Sequence, residues 1–226
     1  MCSGETTAWK RPPSERLSSP DVSEGSSARG NVERLEPTKA QRAAARRVAE
    51  SKATIPHLYV QGRLEIGSSG DVIADVVHAT ALALREAPRL NGSYHDGAFE
   101  IYSRINVGVV AAGADGLVVP TIFDADTKNP GEIGGEWQAL FAKALNGSIT
   151  AREVAGGTFT LASGFGYDGC DFLPVINAGQ AANLGIGSPR DGVIGATVAA
   201  DARMISPTEA SHFMALIQDF LRARPE

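Results

Sequence analysis

The run Ile105-Asn106-Val107-Gly108-Val109-Val110 is followed, across a small-residue link, by Gly116-Leu117-Val118-Val119-Pro120-Thr121-Ile122. Both runs are apolar and rich in β-branched residues. Gly113 and Asp115-Gly116 between them are turn signals, so the stretch predicts a β-hairpin. Upstream, Val72, Ile73, Val76, Val77, Thr80 and Leu84 recur at helical spacing across Asp71 to Glu86, and Pro88 stops the helix. Leu58 to Ile66 alternates imperfectly and reads as a strand, as does Ala98 to Tyr102. Pro37 to Lys52, rich in Ala, Arg and Lys, reads as a helix with a solvated basic face, which Pro56 breaks. Downstream, Pro130 to Ala144 predicts a helix, apolar at Ile133, Trp137, Leu140 and Phe141. Thr158 to Leu161 and Val193 to Ala199 predict strands. Pro207 to Arg222 predicts a closing helix, with Pro207 at a favourable early position. Strands and helices without regular alternation make the fold class α+β.

The 226 residues suit one domain with a tail, and 43% hydrophobic with 21% charged residues is an ordinary globular balance. A net charge of -5 without a dominant basic face argues against nucleic-acid binding. No apolar run is long enough for a membrane span, and the N-terminal stretch lacks a signal-peptide core. Cys2 and Cys170 form neither a disulfide framework nor a metal cluster, so no metal is expected and the expected setting is cytoplasmic. Residues 1–33 are rich in Ser, Pro and Gly, with Trp9, Leu17, Val22 and Val32 their only large apolar residues. They are expected to be a disordered tail, leaving 34–226 as the folded domain.

Four stretches, in order, carry a family resemblance. Glu50-Ser51-Lys52-Ala53-Thr54-Ile55-Pro56-His57 is similar to an ESKxTIPHF run, and Ala81 to Asn91 to a helix ending in PxLN. Asn106 to Val110 with Asp115 to Ile122 resembles an NIGIAVxTxxGLVVPVI hairpin, continued by Asp124-Ala125-Asp126. Gly156-Gly157-Thr158-Phe159-Thr160, Pro174 to Ala178 and Leu184 to Gly187 resemble GGTFTISNLG followed by PIINAPEVAILGVG. These resemble the catalytic domain of the 2-oxo acid dehydrogenase acyltransferases (dihydrolipoyl acyltransferases). The resemblance implies a chloramphenicol acetyltransferase-like mixed sheet with helices on one face, assembled as a homotrimer with active sites between subunits. It further implies acetyl-CoA or another acyl-CoA as a substrate, with no covalently bound cofactor. No lipoyl-type Asp-Lys-Ala motif occurs in the chain.

In the family, a His in a DHRxxDG or DHRxxNG loop is the general base, and a Ser of the FTIS segment stabilises the oxyanion. Here the loop reads Asp201-Ala202-Arg203-Met204-Ile205-Ser206-Pro207. Ala202 takes the His position and Ser206 the Asp/Asn position, while Asp201 and Arg203 remain as a structural loop pair. Ala162 takes the oxyanion Ser position; Ser163 is one residue later and, in an extended segment, faces the other way. A base working near neutral pH calls for a histidine. His212 in the closing helix is the nearest substitute in sequence, and His57 is expected to be structural. His78 falls on a helix and His95 in an exposed turn, while the acidic neighbours of Cys170 argue against a thiolate nucleophile. The links between Ile66 and Asp71, and between Gly187 and Asp201, are shorter than in the family and put its substrate-channel contacts in doubt.

Two readings stand. In one, the chain is a pseudoenzyme, a silent trimeric scaffold or partner of an active acyltransferase. In the other, it is a stand-alone acyltransferase moving an acyl group from a thioester to a small non-lipoyl hydroxyl acceptor.

Overall fold

The structure, a computed structural model, describes residues 26–27, 30–67, 70–114, 116–164 and 170–223. In chain order these form β1 (Ser26–Ser27), β2 (Gly30–Asn31), α1 (Lys39–Thr54), β3 (His57–Glu65), α2 (Val72–Glu86), β4 (Gly92–His95) and β5 (Ala98–Ile101). Then follow β6 (Val107–Val109), β7 (Ala111–Gly113), β8 (Gly116–Val118), β9 (Thr121–Ile122), α3 (Pro130–Leu145), β10 (Phe159–Ser163), β11 (Ala182–Ile186), β12 (Val193–Asp201) and α4 (Pro207–Arg222).

A six-stranded sheet has the order β3-β12-β11-β10-β6-β9. Strand β10 runs parallel to both β11 and β6, and the remaining pairs are antiparallel. One face of this mixed sheet carries the core. Leu64, Phe159, Leu161, Leu184, Ile186, Ile194 and Val198 meet Val76, Val77 and Leu84 of α2, Ile133 and Leu140 of α3, and Phe213 and Ile217 of α4. Phe159 and Phe213 meet edge-on at 5.8 Å. The architecture is therefore α+β, a mixed sheet with its packed helices on one face.

Helix starts follow local chemistry. Asn129 and Ser206 each cap a helix and are answered by a glutamate at the third position, with Pro at the first turn. Asp71 accepts from Ala74 N at 3.0 Å and opens α2. Tight turns at Asp96-Gly97 and Asp191-Gly192 use positive φ at both residues, the twist that suits a two-residue hairpin.

Three features differ from the sequence reading. The hairpin of 105–122 is interrupted: β6 pairs with β9 inside the sheet, while β7 and β8 form their own two-stranded ladder. Val109 donates to the Pro120 carbonyl at 2.8 Å, but Pro120 has no N–H to return, and Val110 donates to Leu161 instead. Strands β4 and β11 were not foreseen, although β11 alternates apolar Ala182, Leu184 and Ile186 with Asn183 and Gly185. The first is a partner strand for β5 and the second is held between two neighbours in the sheet. Of the expected tail, residues 1–25 and 28–29 lie outside the described residues; Ser26–Ser27 pairs antiparallel with Gly30–Asn31.

Candidate active site at the open sheet face

Strand alternation turns a second set of side chains to the face opposite the core helices. The registers place Tyr59, Ala199, Asn183, Thr160, Gly108 and Thr121 in one row across all six strands. The next row in one direction is Gln61, Thr197, Gly185 and Ala162, and in the other it begins His57 and Asp201. The segment after Cys170 straps this face: Phe172 and Pro174 lie over Gly185, and Ile176 packs with Ile55 and Ala199. Gly185 leaves room for the strap, since a β-carbon there would stand 3.0 Å from Pro174 Cδ and push it outward.

The loop after β12 is tightly held. Asp201 is 1% exposed and accepts from the Arg203 main-chain N–H (3.0 Å), Nε (2.9 Å) and Nη2 (2.6 Å). Hydrogen bonding to Asp201 pushes the Arg203 guanidinium pKa up, against the opposing effect of burial. The guanidinium also lies over the Tyr94 ring, 4.2 Å from its centroid. Ala202 donates its N–H to the Pro56 carbonyl at 2.9 Å, tying the loop to the start of β3. At the far end, Ser206 donates to Glu209 at 2.7 Å and accepts from its N–H at 3.3 Å, so its hydroxyl is engaged in capping α4. The Ser206 main-chain N–H, donating at 2.9 Å, and then the hydroxyl hold the Glu209 carboxyl below the usual range. Held this way, the loop presents at Ala202 only an exposed methyl group.

Among the expected site residues, Asp201 and Arg203 do form an ion pair. Ala162 is half-buried on the open face, in register with Gly185, and Ser163 pairs with Ile186 and so faces the core side. His57 lies opposite Asp201, close to the loop, but both ring nitrogens are committed. Ile176 N donates to Nε2 at 3.1 Å, which leaves Nδ1 to donate to the Ile55 carbonyl at 2.8 Å. Accepting a proton at Nε2 would break the bond from Ile176, so the ring is a strut. His212 is exposed on α4, beside buried Phe213 and Met214. His78 bonds the Lys128 carbonyl from α2, and His95 is exposed at the β4–β5 turn. Cys170 is exposed. Among the described residues no group of His, Cys, Asp and Glu could hold a metal ion, and no helix is long and apolar enough to cross a membrane.

The capping role of Ser206 was missed, although Ser206-Pro-Thr-Glu209 is an S-x-x-E signature. The strap over the sheet and the polar row containing Thr121 and Thr160 carried no sequence signal, because their members lie far apart in the chain.

A mixed sheet with helices on one face and a side-chain-bearing open face is the architecture of acyltransferase cores. The superposition with a probable dihydrolipoamide acetyltransferase of Listeria monocytogenes gives a TM-score of 0.78 at 25% identity, over 84% of this chain and 94% of that one. For the dihydrolipoamide acetyltransferase of Azotobacter vinelandii, whose catalytic mechanism has been probed at a serine, a histidine and an asparagine, the TM-score is 0.81 at 23% identity. That match covers 90% of this chain and 97% of that one. A chloramphenicol acetyltransferase shares the fold at TM-score 0.53 and 14% identity, over 78% and 94% of the two chains.

Residues 68–226 match the 2-oxoacid dehydrogenases acyltransferase (catalytic domain) family, and the chain belongs to it. It is 28% identical over 209 residues to the dihydrolipoyllysine-residue acetyltransferase component of the pyruvate dehydrogenase complex of Rickettsia bellii, covering 79% of this chain and 50% of that protein. It is 35% identical over 179 residues to component 2 of the mitochondrial enzyme of Arabidopsis thaliana, covering 71% of this chain and 33% of that protein. The chain thus spans half the length or less of these curated relatives.

Proposed function

We propose that this chain is a catalytically silent member of the family, a trimeric scaffold or partner for an active acyltransferase. One observation carries the reading. The loop from Asp201 to Ser206 is held as firmly as a catalytic loop would need to be, yet it presents Ala202, a side chain that can take no proton. By resemblance, Ala202 stands at the base and Ala162 at the oxyanion donor. Loss of a general base costs about 10²–10⁴ in rate, and loss of an oxyanion donor about 10²–10³. Ser206, at the position of the loop's second polar anchor, is engaged with Glu209.

Assembly is supported by α1, whose only buried residue is Ser51. A helix with so little packing draws little stability from its own subunit beyond the buried Ser51 bond to the Ile176 carbonyl. Val48 on the helix, and Val32 and Leu35 in the segment before it, are about half exposed. A family relative of known structure forms the cubic core of the pyruvate dehydrogenase multienzyme complex, which fits a protomer that packs through such surfaces.

The test is an assay of acyl transfer from acetyl-CoA to dihydrolipoamide, with sedimentation to read the oligomer. The unmodified trimer should show no turnover. Ala202→His alone should recover little, and Ala162→Ser with Ala202→His and Ser206→Asp should recover more. Turnover by the unmodified protein with a hydroxyl acceptor, or a monomer at micromolar concentration, overturns the reading.

A further inference from the structure

The tetrapeptide Leu-Asn-Gly-Ser occurs twice in the chain, at Leu90 to Ser93 and at Leu145 to Ser148. Its Asn-Gly step is chemically self-reactive. The side-chain carboxamide carbon is an electrophile a short ring away from the next main-chain nitrogen, and glycine has no β-carbon to block the approach. Closing that ring requires the peptide unit to turn about the asparagine ψ until the nitrogen faces the side chain. Two identical sequences share one intrinsic reactivity, so the fold alone decides which of them can turn.

Asn91 is locked. It is 2% exposed, and its side-chain amide donates to the Tyr102 and Arg104 carbonyls, both at 2.9 Å. Gly92 stands in β4 opposite Ile101, so close to β5 that a β-carbon would lie 2.2 Å from the Glu100 carbonyl oxygen. Turning this peptide unit would tear β4 from β5.

Asn146 is held only by a helix end. It caps the C-terminus of α3 with φ of -91° and ψ of 2°, and Gly147 follows in the left-handed region at φ of 73°. Asn146, Gly147 and Ser148 are all exposed. Gly147 N–H donates to the Ala144 carbonyl at 3.2 Å and Ser148 N–H to the Lys143 carbonyl at 3.0 Å, the paired bonds of a glycine-terminated helix. Ser148 also clamps the side chain, donating its N–H at 2.9 Å and its hydroxyl at 2.6 Å to Asn146 Oδ1. A few exposed bonds at a helix end open locally, without unfolding the domain.

We propose that Asn146 is a site of spontaneous deamidation, gated by the C-terminal cap of α3 with Ser148 as its restraint. In the opened turn the Gly147 nitrogen gives up its proton to water and bonds to Asn146 Cγ. The bond from Cγ to the side-chain nitrogen then breaks, and that nitrogen takes a proton and leaves as ammonia. Water opens the cyclic imide at either carbonyl, giving aspartate, or isoaspartate with the main chain rerouted through the side chain. The net reaction adds one water and releases one ammonia. Aspartate places a negative charge at the negative end of the α3 dipole. Isoaspartate adds a main-chain carbon and shifts Gly147 and Ser148 out of register with the Ala144 and Lys143 carbonyls. The Ala144 carbonyl also takes the Ala114 N–H at 3.3 Å, so the modification reaches the tie between α3 and the β7–β8 ladder. The inference stands whether or not the chain transfers acyl groups.

Peptide mass spectrometry on the full chain, aged for weeks in mildly alkaline buffer at physiological temperature, tests it. The peptide containing Asn146 should gain about 1 Da and separate into aspartate and isoaspartate forms, while the peptide containing Asn91 keeps its mass. Ser148→Ala removes the hydroxyl bond and should speed the reaction about two- to tenfold, the worth of one ordinary hydrogen bond. In concentrated urea the two peptides should react alike. The proposal is overturned if the Asn146 peptide keeps its mass, if Asn91 reacts as fast in the folded chain, or if Ser148→Ala reacts no faster. A contrast between the two peptides that persists in urea overturns gating by the fold.

Discussion

Replacing Asp201 by asparagine tests how firmly the loop is held. The carboxylate is 1% exposed and its two oxygens take a main-chain N–H and two guanidinium nitrogens of Arg203. Asparagine keeps one oxygen, enough for the main-chain N–H and Nε. Its amide N–H₂ then faces Nη2, donor against donor, in place of a 2.6 Å charge-assisted bond. Removing one partner of a fully buried pair costs about 3–5 kcal/mol. The Arg203 side chain is 34% exposed and retains the Tyr94 face, so water and the ring recover part of this loss. The expected destabilisation of Asp201→Asn is about 2–3 kcal/mol after that discount for solvent. Urea unfolding followed by circular dichroism, at one protein concentration because the oligomer contributes, should be run on Asp201→Asn, Arg203→Gln and the double variant. The coupling energy should reach about 1.5 kcal/mol or more. A coupling below about 0.5 kcal/mol, the value of an exposed ion pair, would refute the idea that this pair fixes the loop.

Other expectations concern the cap, the core, two glycines and one carboxylate. Ser206→Ala should cost about 1 kcal/mol as a lost helix cap. The Glu209 carboxyl is depressed chiefly by the Ser206 main-chain N–H, so its contribution is present above the unfolded carboxylate pKa and lost as pH falls through the folded one. Ser206→Ala keeps that N–H and removes the hydroxyl bond to the carboxylate, so the part of its cost that comes from this bond, read by urea titration, should shrink on acidification. Phe213→Ala removes a fully buried ring that meets Phe159 and should cost about 3–5 kcal/mol in the same assay. Gly92→Ala would drive a β-carbon into the Glu100 carbonyl of the paired strand and should cost about 1–3 kcal/mol. At Gly195→Ala the nearest atoms are those of the exposed Asp171 carboxylate, and its smaller penalty should fall in an Asp171→Ala background. The Glu153 carboxyl, bonded by Lys143 and then by Thr150, is lowered to about 2. Its side-chain carbon resonance should titrate near that value, and the stability this group contributes should be full at neutral pH, begin to fall below the usual glutamate value of 4.5 and be gone by about 2. In Lys143→Met the midpoint should rise.

The boundaries of α2, α3 and α4 were legible in the chain because local physics sets them. Apolar residues at helical spacing mark the face to be buried, while Pro130, Pro207 and the stop at Pro88 mark ends. Long apolar strands such as β12 were legible for a similar reason. The family motifs also located Ala162, Ala202 and Ser206 and the surviving Asp201 and Arg203. Strand β4 was not legible, since its glycine and serine become strand only when β5 supplies their hydrogen bonds; β11 is short and broken by Gly185, though Ala182, Leu184 and Ile186 alternate toward the core. The split of the 105–122 hairpin depended on the missing N–H of Pro120 meeting the ladder, a consequence of register. His57 illustrates the division. Sequence placed it near the loop by motif, but only the tertiary structure committed both its nitrogens to Ile55 and Ile176, from two different parts of the chain. The open-face row is the same case: Thr121 and Thr160 come to one face on either side of Gly108 because antiparallel and parallel pairing sets β9 and β10 beside β6. No local pattern encodes that meeting, because the contacts that create it close loops of very different length.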